Sequence, residues 1–417
     1  MAEQRLSALA AQLAPRSTSA ASKILEKHPD DVVIVAAYRS AFTRGGKGAL
    51  RDMYAADILT ELYKGLLDRT KIDPKIIGDI AVGNVLCPGS GITEFRAAAL
   101  AAEIPYSVPT YTINRQCSSG LMAVIHIAHQ ILAGDIDVGL AAGVESMSQN
   151  WGPQAVSPFS GDLSSHPEAA KCLIPMGVTS ENVATKYGLT RKEQDAFAAD
   201  SYQKAEKAQK AGVFKAEILP IKAKVINSSG EEKVVTVSDD EGIRYGVTPE
   251  SLSKIKPAFS ENGVTHAGNA SQVSDGGAVV LLARRSAAQK HGLTIIGKYV
   301  DSAVVGVPPE IMGIGPAVAI PAVLKRAGLT KDDVDFYEIN EAFASQALFS
   351  VLDIGIDMKK VNPHGGAIAF GHPLGCTGAR QMATLLNELK MYKKRIGVTS
   401  MCIGTGMGAA SIIVSEQ

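Results

Sequence analysis

Cys117 stands in a short stretch, NRQCSSGLMA (114–123), that could carry nucleophilic chemistry. Two serines and a glycine follow it, and an apolar helical run begins at once. Free backbone N–H groups and the positive dipole end at a helix start favour a thiolate, and the same N–H groups could bind an oxyanion. The small neighbours would let a substrate carbonyl approach. A small buried residue at a helix start is the alternative, and this stretch alone does not decide between the two.

A nucleophilic cysteine needs a base, and a glycine-rich segment offers two histidines. NPHGGAIAFGHPLGCTGAR (362–380) holds His364 and His372 ahead of a second helical pattern. A loop histidine at a helix start is a better catalytic candidate than one inside an apolar helix. His126 and His129 lie inside such a helix with H-x-x-H spacing. We expect these two to be structural, because no third ligand follows at a metal-site spacing.

Two further segments place polar or thiol side chains next to predicted strands. MCIGTGMGAA (401–410) holds Cys402 among glycines, and INEAF (339–343) puts Asn340 and Glu341 at a strand end. Open α/β sheets bind their ligands at such ends, although a cap for the following helix is the alternative for this pair. The GxGxG spacing does not indicate a dinucleotide site, because an apolar strand follows it and the required acidic residue is absent.

The elements that must position these residues alternate between apolar strands and helices. Uniformly apolar strands are normally covered by helices on both faces, so the pattern predicts an α/β fold. The segments that carry the strands are 31–38, 77–86, 138–148, 276–285, 334–348 and 395–414.

Residues 151–264 differ from the rest, since they carry more charge and long amphipathic helices. Thr190 and Glu193 form a capping box at the start of a predicted helix over 190–212. We interpret this segment as an excursion from the main body. NRQCSSGLMAVIHIAHQI and HPLGCTGARQMATLLNEL, which contain Cys117 and Cys376, are both small-residue turns that lead into amphipathic helices. Two duplicated halves would explain this echo.

Composition excludes several classes of function. The chain has 417 residues with 42 basic and 42 acidic side chains, so its net charge is zero. This balance argues against nucleic acid as the main partner. No apolar run reaches the length of a membrane span. The five cysteines show no CxxC pairing, which is typical of a reducing compartment rather than a disulfide framework.

The first 30 residues form a tail that precedes the first strand. RLSALAAQL (5–13) has an amphipathic pattern with leucines on one face. No long apolar stretch indicates a secretory signal. A disordered or helical tail and a mitochondrial presequence both fit the composition.

Taken in order, CSSG, NEAF, GGAIAFGHPLGCTGAR and MCIGTGMGAA resemble the 3-ketoacyl-CoA thiolases over essentially the whole chain from about residue 31. The resemblance implies two duplicated βαβαβαβ halves in an α/β/α/β/α body with an inserted loop domain. It implies a targeting tail at 1–30, an N-terminal half at 31–150 plus 265–292, a loop domain at 151–264 and a C-terminal half at 293–417.

The resemblance also implies roles for individual residues. Cys117 resembles the acylated nucleophile and His372 its activating base. Cys402 resembles the acid/base that moves the C2 proton of the acetyl unit. Asn340 would hold a water in one oxyanion hole with His372, and the N–H groups of Cys117 and Gly404 would form the second.

Further positions resemble those that contact coenzyme A (CoA) and the acyl thioester. The residues matched in this way are Met176, Arg244, Ser251, Ala258, Phe259, Ala267, Ser271, Met312, Ala342 and Phe343. Pro175 departs from short-chain biosynthetic relatives that carry a histidine there. This difference puts one CoA contact in doubt and favours a degradative enzyme with wider chain-length tolerance.

The implied activity is cleavage of 3-ketoacyl-CoA by CoA to acetyl-CoA and a shortened acyl-CoA, through a Cys117 acyl-enzyme and without metal or resident cofactor. One alternative is a biosynthetic acetoacetyl-CoA thiolase. The resemblance disfavours a ketosynthase, because Cys402 occupies the second-thiol position. A third reading is an inactive acyl-CoA or sterol carrier, against which the intact cysteines and histidine argue.

The family resemblance changes the interpretation of the tail. RLSALAAQL fits the N-terminal peroxisomal signal R-L-x5-[HQ]-L at Arg5, Leu6, Gln12 and Leu13. We therefore expect a peroxisomal location and recognition by the import receptor, with the mitochondrial matrix as the alternative. By resemblance alone we also expect a homodimer.

Overall fold

The structure is a computed structural model that describes residues 20–152, 155, 158–226 and 229–417. The predicted targeting residues Arg5, Leu6, Gln12 and Leu13 therefore lie outside the described residues. The described strands are β1 (Val32–Arg39), β2 (Thr43–Arg44), β3 (Asp79–Gly83), β4 (Thr110–Ile113), β5 (Val138–Ser146), β6 (Ile221–Ile226), β7 (Glu232–Val237), β8 (Ser274–Arg284), β9 (Gly297–Gly306), β10 (Phe336–Ile339), β11 (Ile396–Ile403) and β12 (Met407–Ser415).

Helices of very different length connect these strands. The described α-helices are α1 (Ala20–Ile24), α2 (Ala55–Thr70), α3 (Ile92–Ala101), α4 (Ser119–Ala133), α5 (Met147–Asn150), α6 (Gly161–Ser165), α7 (Pro167–Ala170), α8 (Met176–Tyr187), α9 (Arg191–Lys210), α10 (Pro249–Ser253), α11 (Arg285–Lys290), α12 (Gly315–Ala327), α13 (Ala344–Ile354), α14 (Ala367–Phe370) and α15 (Thr377–Met391). None of these described helices combines the length and apolar character that crossing a bilayer requires.

Two sets of strands have the same order and the same directions. In the first, the order is β4-β3-β5-β8-β1, and only the β4–β3 and β3–β5 pairs are parallel. In the second, the order is β10-β11-β12-β9, and only the β10–β11 pair is parallel. A single parallel bridge from Tyr337 of β10 to Val361 corresponds to the pairing of β3 with β4. The duplication predicted from the sequence echo is therefore visible in the topology.

The halves stack into layers around two central helices. α2 covers the outer face of the first set of strands, and α12 covers the second. α15 lies between, contacting β8 on one side and β11 on the other, and α4 packs on both α15 and β5. The two sets join edge to edge through β1 and β9 at Val33–Lys298 and Ile34–Gly297. The α/β/α/β/α arrangement follows from strands that are apolar on both faces.

The central helices approach each other closely because their first turns are small. A side-chain carbon on Gly120 would lie 2.6 Å from the carbonyl oxygen of Gly375, and one on Gly378 would lie 2.3 Å from the backbone nitrogen of Leu121. The close packing of the two helices therefore requires a residue without a side chain at Gly120. Its small size, expected from the sequence to admit the substrate carbonyl, is better explained by contact with the second half.

The excursion between β5 and β8 is mainly helical, with a separate antiparallel pair, β6 and β7. The capping box at the start of α9 is present, since Thr190 Oγ1 accepts from the N–H of Glu193 at 3.3 Å. Ser201 of α9 donates to Glu341 Oε2 at 2.6 Å, which ties this region to the second half. This hydrogen bond holds α9 against the loop that follows β10.

Candidate active site

Cys117 occupies a tight loop between β4 and α4. Gln116 has φ +48°, a left-handed conformation that a non-glycine residue rarely adopts. Two hydrogen bonds of Ser119 hold the loop, because its hydroxyl accepts from the N–H of Arg115 at 2.9 Å and donates to the carbonyl of Gln116 at 2.6 Å. Cys117 is half-buried, so the loop presents its thiol to the interior without enclosing it fully. Ser119, two residues after Cys117, therefore shapes the nucleophile loop.

The surroundings of Cys117 keep its thiol protonated at rest. Burial raises the pKa of Cys117 to about 11, and the N–H groups of Gly404 and of Cys117 itself lower the pKa only in part. The carboxylate of Glu145 adds a smaller upward shift. The expectation that the helix start yields a thiolate is therefore wrong for the resting state, because desolvation exceeds the effect of the N–H groups. A base must remove the proton during attack.

His372 has the bonding pattern of such a base. Its Nδ1 lies 2.5 Å from Thr377 Oγ1, and that hydroxyl donates onward to the carbonyl of Pro373 at 3.3 Å. Because the hydroxyl proton is committed, Nδ1 carries the ring proton and Nε2 keeps its lone pair. Burial, with a smaller contribution from the Arg380 charge, lowers the pKa of His372 to about 3. The ring is therefore neutral across the physiological range.

Asn340 lies beside this ring, directly after β10. Its Nδ2 is 3.3 Å from Nε2 of His372, and its backbone N–H donates to the carbonyl of Ser400 at 2.9 Å. The side-chain oxygen is buried and accepts no hydrogen bond from the described residues. The structure thus places Asn340 beside His372 and leaves the side-chain oxygen of Asn340 able to accept a hydrogen bond from another group.

Cys402 approaches from β11, whose last residues lead into a tight turn. Thr405 and Gly406 both have positive φ in this turn, at +70° and +96°. Cys402 is fully buried, and burial, followed by the neighbouring Cys117 thiol, raises the pKa of Cys402 well above its ordinary value. Since Gly404 of the same turn donates its N–H toward Cys117, one turn brings the second thiol and an N–H donor to the nucleophile.

Cys402 belongs to a small apolar cluster separate from the main core. The buried members are Met312, Ala342, Phe343 and Cys402, and Ala270 packs against them. The ring of Phe259 meets that of Phe343 edge-on with centroids 6.4 Å apart. Three residues predicted to line the acyl-thioester tunnel, Met312, Ala342 and Phe343, therefore pack in one cluster with the second thiol.

The remaining predicted binding residues lie on α8, on the excursion and on its return loop. Ser271 donates its backbone N–H to the carbonyl of Ala342 at 3.0 Å, and Met176 begins α8 with a partly exposed side chain. Four of these predicted residues are exposed on the excursion and its return loop, namely Arg244, Ser251, Ala258 and Ala267. Their exposure leaves them free to contact a ligand, and their roles remain predictions.

The other histidines lie outside this constellation. His364 faces Glu388 at 3.4 Å in a buried site, and burial lowers the pKa of His364 to about 4. His126 stacks on Tyr111 from the middle of α4, whereas Cys117 precedes that helix. No group of three or more His, Cys, Asp or Glu residues within the described ranges could hold a metal ion.

Sequence reasoning missed two residues that shape the site. Thr377, which orients His372, lies five positions after it, and this spacing across a proline turn was the available signal. Glu145 accepts hydrogen bonds from loops of both halves, and its position at the end of an apolar strand gave no signal of such contacts.

Family comparison agrees with the motifs and with the topology. The family model of the thiolase N-terminal domain matches residues 32–286, and that of the thiolase C-terminal domain matches residues 293–415. The chain belongs to the thiolase family. The family, the thiolase fold and the acyltransferase class predicted from the sequence are therefore confirmed.

Curated relatives match nearly the whole chain. The peroxisomal 3-ketoacyl-CoA thiolase of Yarrowia lipolytica is 61% identical over 412 residues, covering 99% of this chain and all of that protein. The Saccharomyces cerevisiae peroxisomal thiolase is 55% identical, with 95% and 94% covered. The expected peroxisomal location agrees with these names and is confirmed.

Solved structures give the same result. The dimeric peroxisomal thiolase of Saccharomyces cerevisiae superposes with a TM-score of 0.89 at 55% identity, covering 94% of this chain and 100% of that chain. Human mitochondrial 3-ketoacyl-CoA thiolase gives 0.83 at 37% identity, with 92% and 99% covered.

Proposed function

We propose that the chain cleaves 3-ketoacyl-CoA with CoA, giving acetyl-CoA and a shortened acyl-CoA, as the last step of fatty-acid β-oxidation in the peroxisome. Relatives named peroxisomal 3-ketoacyl-CoA thiolase match it at 51–61% identity over almost its full length. The observation that carries the proposal is that Cys402 and the N–H of Gly404, from the second half, lie beside the Cys117 thiol of the first half. Asn340, also of the second half, lies beside His372, which supports the assignment of these two residues to one site.

The first half-reaction begins with a proton transfer. His372 Nε2 takes the proton of Cys117 as the sulfur attacks C3 of the 3-ketoacyl group, because the resting thiol is neutral. The C2–C3 bond then breaks, leaving an acyl thioester on Cys117 and the enolate of acetyl-CoA. Cys402, which burial keeps protonated, gives its proton to C2 of that enolate.

The second half-reaction returns the enzyme to its resting state. The thiol of a new CoA gives its proton to the Cys402 thiolate and attacks the acyl carbon of the thioester. The bond from that carbon to the Cys117 sulfur breaks, the acyl-CoA leaves, and the Cys117 sulfur takes back the proton held on His372. This covalent route divides a difficult transfer into two displacements and gives ping-pong kinetics.

Both half-reactions place negative charge on a thioester or ketone oxygen. We assign one oxyanion site to the N–H groups of Cys117 and Gly404, which already point toward the nucleophile. We assign the other to His372 with a water held by Asn340, whose side-chain oxygen retains bonding capacity. Preorganised donors of this kind commonly contribute about 10²–10³-fold to turnover each.

CoA enters this scheme as a substrate, and the described steps use only side chains, backbone groups and CoA. We propose that the nucleotide and pantetheine lie along the exposed residues of the excursion and return loop, with the acyl thioester beside the apolar cluster at Cys402. Phe259, Phe343 and Met312 then contact the acyl chain near the reacting carbon.

The chain organisation follows the same proposal. We propose an N-terminal half at 31–150 plus 265–292, a loop domain at 151–264 and a C-terminal half at 293–417, preceded by a targeting tail at 1–30. We further propose a homodimer, as stated for the Saccharomyces cerevisiae relative, and recognition of the tail by the peroxisomal import receptor.

The test is CoA-dependent cleavage of four-carbon and sixteen-carbon 3-ketoacyl-CoAs by purified full-length protein. We expect both substrates to be cleaved, with Cys117→Ser as the inactive control. Cleavage of the four-carbon substrate alone would favour the biosynthetic acetoacetyl-CoA reading. Binding without cleavage of either substrate would contradict the proposal and favour a carrier.

A further inference from the structure

A single buried carboxylate connects the loops that carry the proposed nucleophile and its base. Glu145 is fully buried near the end of β5, where it faces three backbone N–H groups and one side-chain amide. Oε2 accepts from the N–H of Gly375 at 2.9 Å and of Val85 at 3.0 Å. Oε1 accepts from the N–H of Leu86 at 3.1 Å and from Asn84 Nδ2 at 3.0 Å.

One side of this arrangement leads to His372. Gly375 lies three residues beyond it, and its carbonyl fits against Gly120 of α4 and Gly143 of β5, where added side-chain carbons would lie 2.6 and 2.3 Å away. Gly143 and Glu145 share one face of β5, since alternate residues of a strand point the same way. The glycines let the loop descend onto the strand, and the carboxylate then fixes its N–H.

The other side leads to Cys117. Val85, whose N–H bonds to Glu145, accepts at its carbonyl from Asn114 Nδ2 at 3.1 Å. Asn114 Oδ1 in turn accepts from the N–H of Gln116 at 3.0 Å. Glu145 is thus bonded directly to the loop of the base and through two residues to the loop of the nucleophile, which come from different halves.

We propose that Glu145 is a positioning residue that sets the separation between His372 and the Cys117 loop, an inference that rests on the proposed function. The site needs an acceptor with two oxygens, because four N–H donors converge from opposite sides. A glutamine has the same shape but presents an NH₂ group to one pair of donors. The loops must then separate, while the residues that bind CoA keep their places.

The test is a double-mutant cycle on the full chain, combining Glu145→Gln with His372→Asn. Displacing a catalytic group by about 1 Å costs about 10²-fold, so we expect Glu145→Gln to lower kcat by about this factor and leave KM nearly unchanged. In the His372→Asn background, Glu145→Gln should lower kcat by less than about threefold, since the base whose position it controls is gone.

Asp335→Asn is the matched control. Asp335 accepts from the N–H groups of Arg395 and Ile396 at 2.9 and 3.0 Å, and it precedes β10 at the end away from Asn340. Its effect on kcat should be the same in both backgrounds. If Glu145→Gln does not fold, Glu145→Asp, which keeps the charge and shortens the reach, takes its place in the cycle.

An equal loss of kcat from Glu145→Gln in both backgrounds would overturn the positioning role, as would turnover close to that of the unaltered chain. An unaltered chain that does not cleave 3-ketoacyl-CoA would instead refute the proposed function. The two failures are therefore separable, because the first is read only when the unaltered chain is active.

Discussion

The loops that precede the two central helices occupy equivalent places in the duplicated halves but do different work. In the first half, residues 114–119 lead into α4 and carry Cys117, whose thiol is half-buried beside the N–H of Gly404. In the second half, residues 372–377 lead into α15 and carry Cys376, whose side chain is fully buried. Burial raises the pKa of the Cys376 thiol far above its ordinary range.

The second loop contributes a base where the first contributes a nucleophile. His372 stands at its start, fixed through Thr377, and Cys376 packs in the main core. Duplication thus supplied two helix starts with similar glycine-rich turns. We infer that Cys117 reacts and Cys376 does not because the first thiol is half-buried and the second is fully buried between the two halves.

Exchanging each cysteine for serine should give the largest difference between the two loops. Cys117→Ser should lower thiolytic turnover by about 10⁴-fold or more, because the neutral hydroxyl is a poor nucleophile at this site. Cys376→Ser should keep turnover close to that of the unaltered chain while losing about 1–3 kcal/mol of unfolding free energy, since a hydroxyl replaces a buried thiol. Turnover and urea unfolding measure the two effects, and equal loss of turnover in both variants would contradict the assignment.

Cys402→Ser separates the two thiols that do approach each other. We expect the variant to form the acyl-enzyme from an acyl-CoA, because that step needs no proton at C2. Exchange of the C2 protons of acetyl-CoA with deuterated water should fall by about 10³-fold, the size typical of a lost acid/base group. NMR follows the exchange, and an undiminished rate would show that another group moves the C2 proton.

Thr377→Val tests the hydrogen bond that fixes the ring of His372. Without the hydroxyl, the other tautomer places a proton on Nε2, so turnover should fall by about 10–10²-fold with little change in KM. Thr384→Val is the control, because Thr384 lies on the same helix and bonds to Glu217 at 3.2 Å instead. Steady-state kinetics distinguish them, and equal losses would point to general damage to α15.

The smallest effect concerns pH and stability. Burial lowers the pKa of His372 to about 3 in the folded protein, while an unfolded histidine titrates near 6.5. The unfolded state therefore takes up a proton first, and the stabilising contribution present above pH 6.5 is lost as pH falls toward 3. His372→Gln should reduce the loss of unfolding free energy between pH 7.5 and 5.0 by about 1–2 kcal/mol. Urea unfolding at both pH values measures it, and an unchanged pH dependence would contradict a neutral buried ring.

Much of the fold could be predicted from the sequence because its strands are apolar and its turns are marked. The strands around 31–38, 138–148 and 276–285 and the strand–turn–strand at 395–414 are confirmed. The register that joins β1 to β9 through two residue pairs had no sequence signal, since pairing between halves depends on how they stack.

The candidate site was predicted less evenly. Cys117, His372, Asn340 and Cys402 stood in motifs with unusual local chemistry, and the structure places Asn340 beside His372 and Cys402 beside Cys117. The protonated state of Cys117 was not predictable, because burial depends on contacts made by the distant Gly404 turn. Glu145 gave no signal either, since its bonds reach residues 59 to 230 positions away.

The most direct measurement is peptide mapping by mass spectrometry after the protein is mixed with a 3-ketoacyl-CoA and quenched in acid within one turnover. We predict an acyl group on Cys117 and none on Cys376 or Cys402. An acyl group on either of the other two thiols, or no covalent adduct while acetyl-CoA still forms, would contradict it.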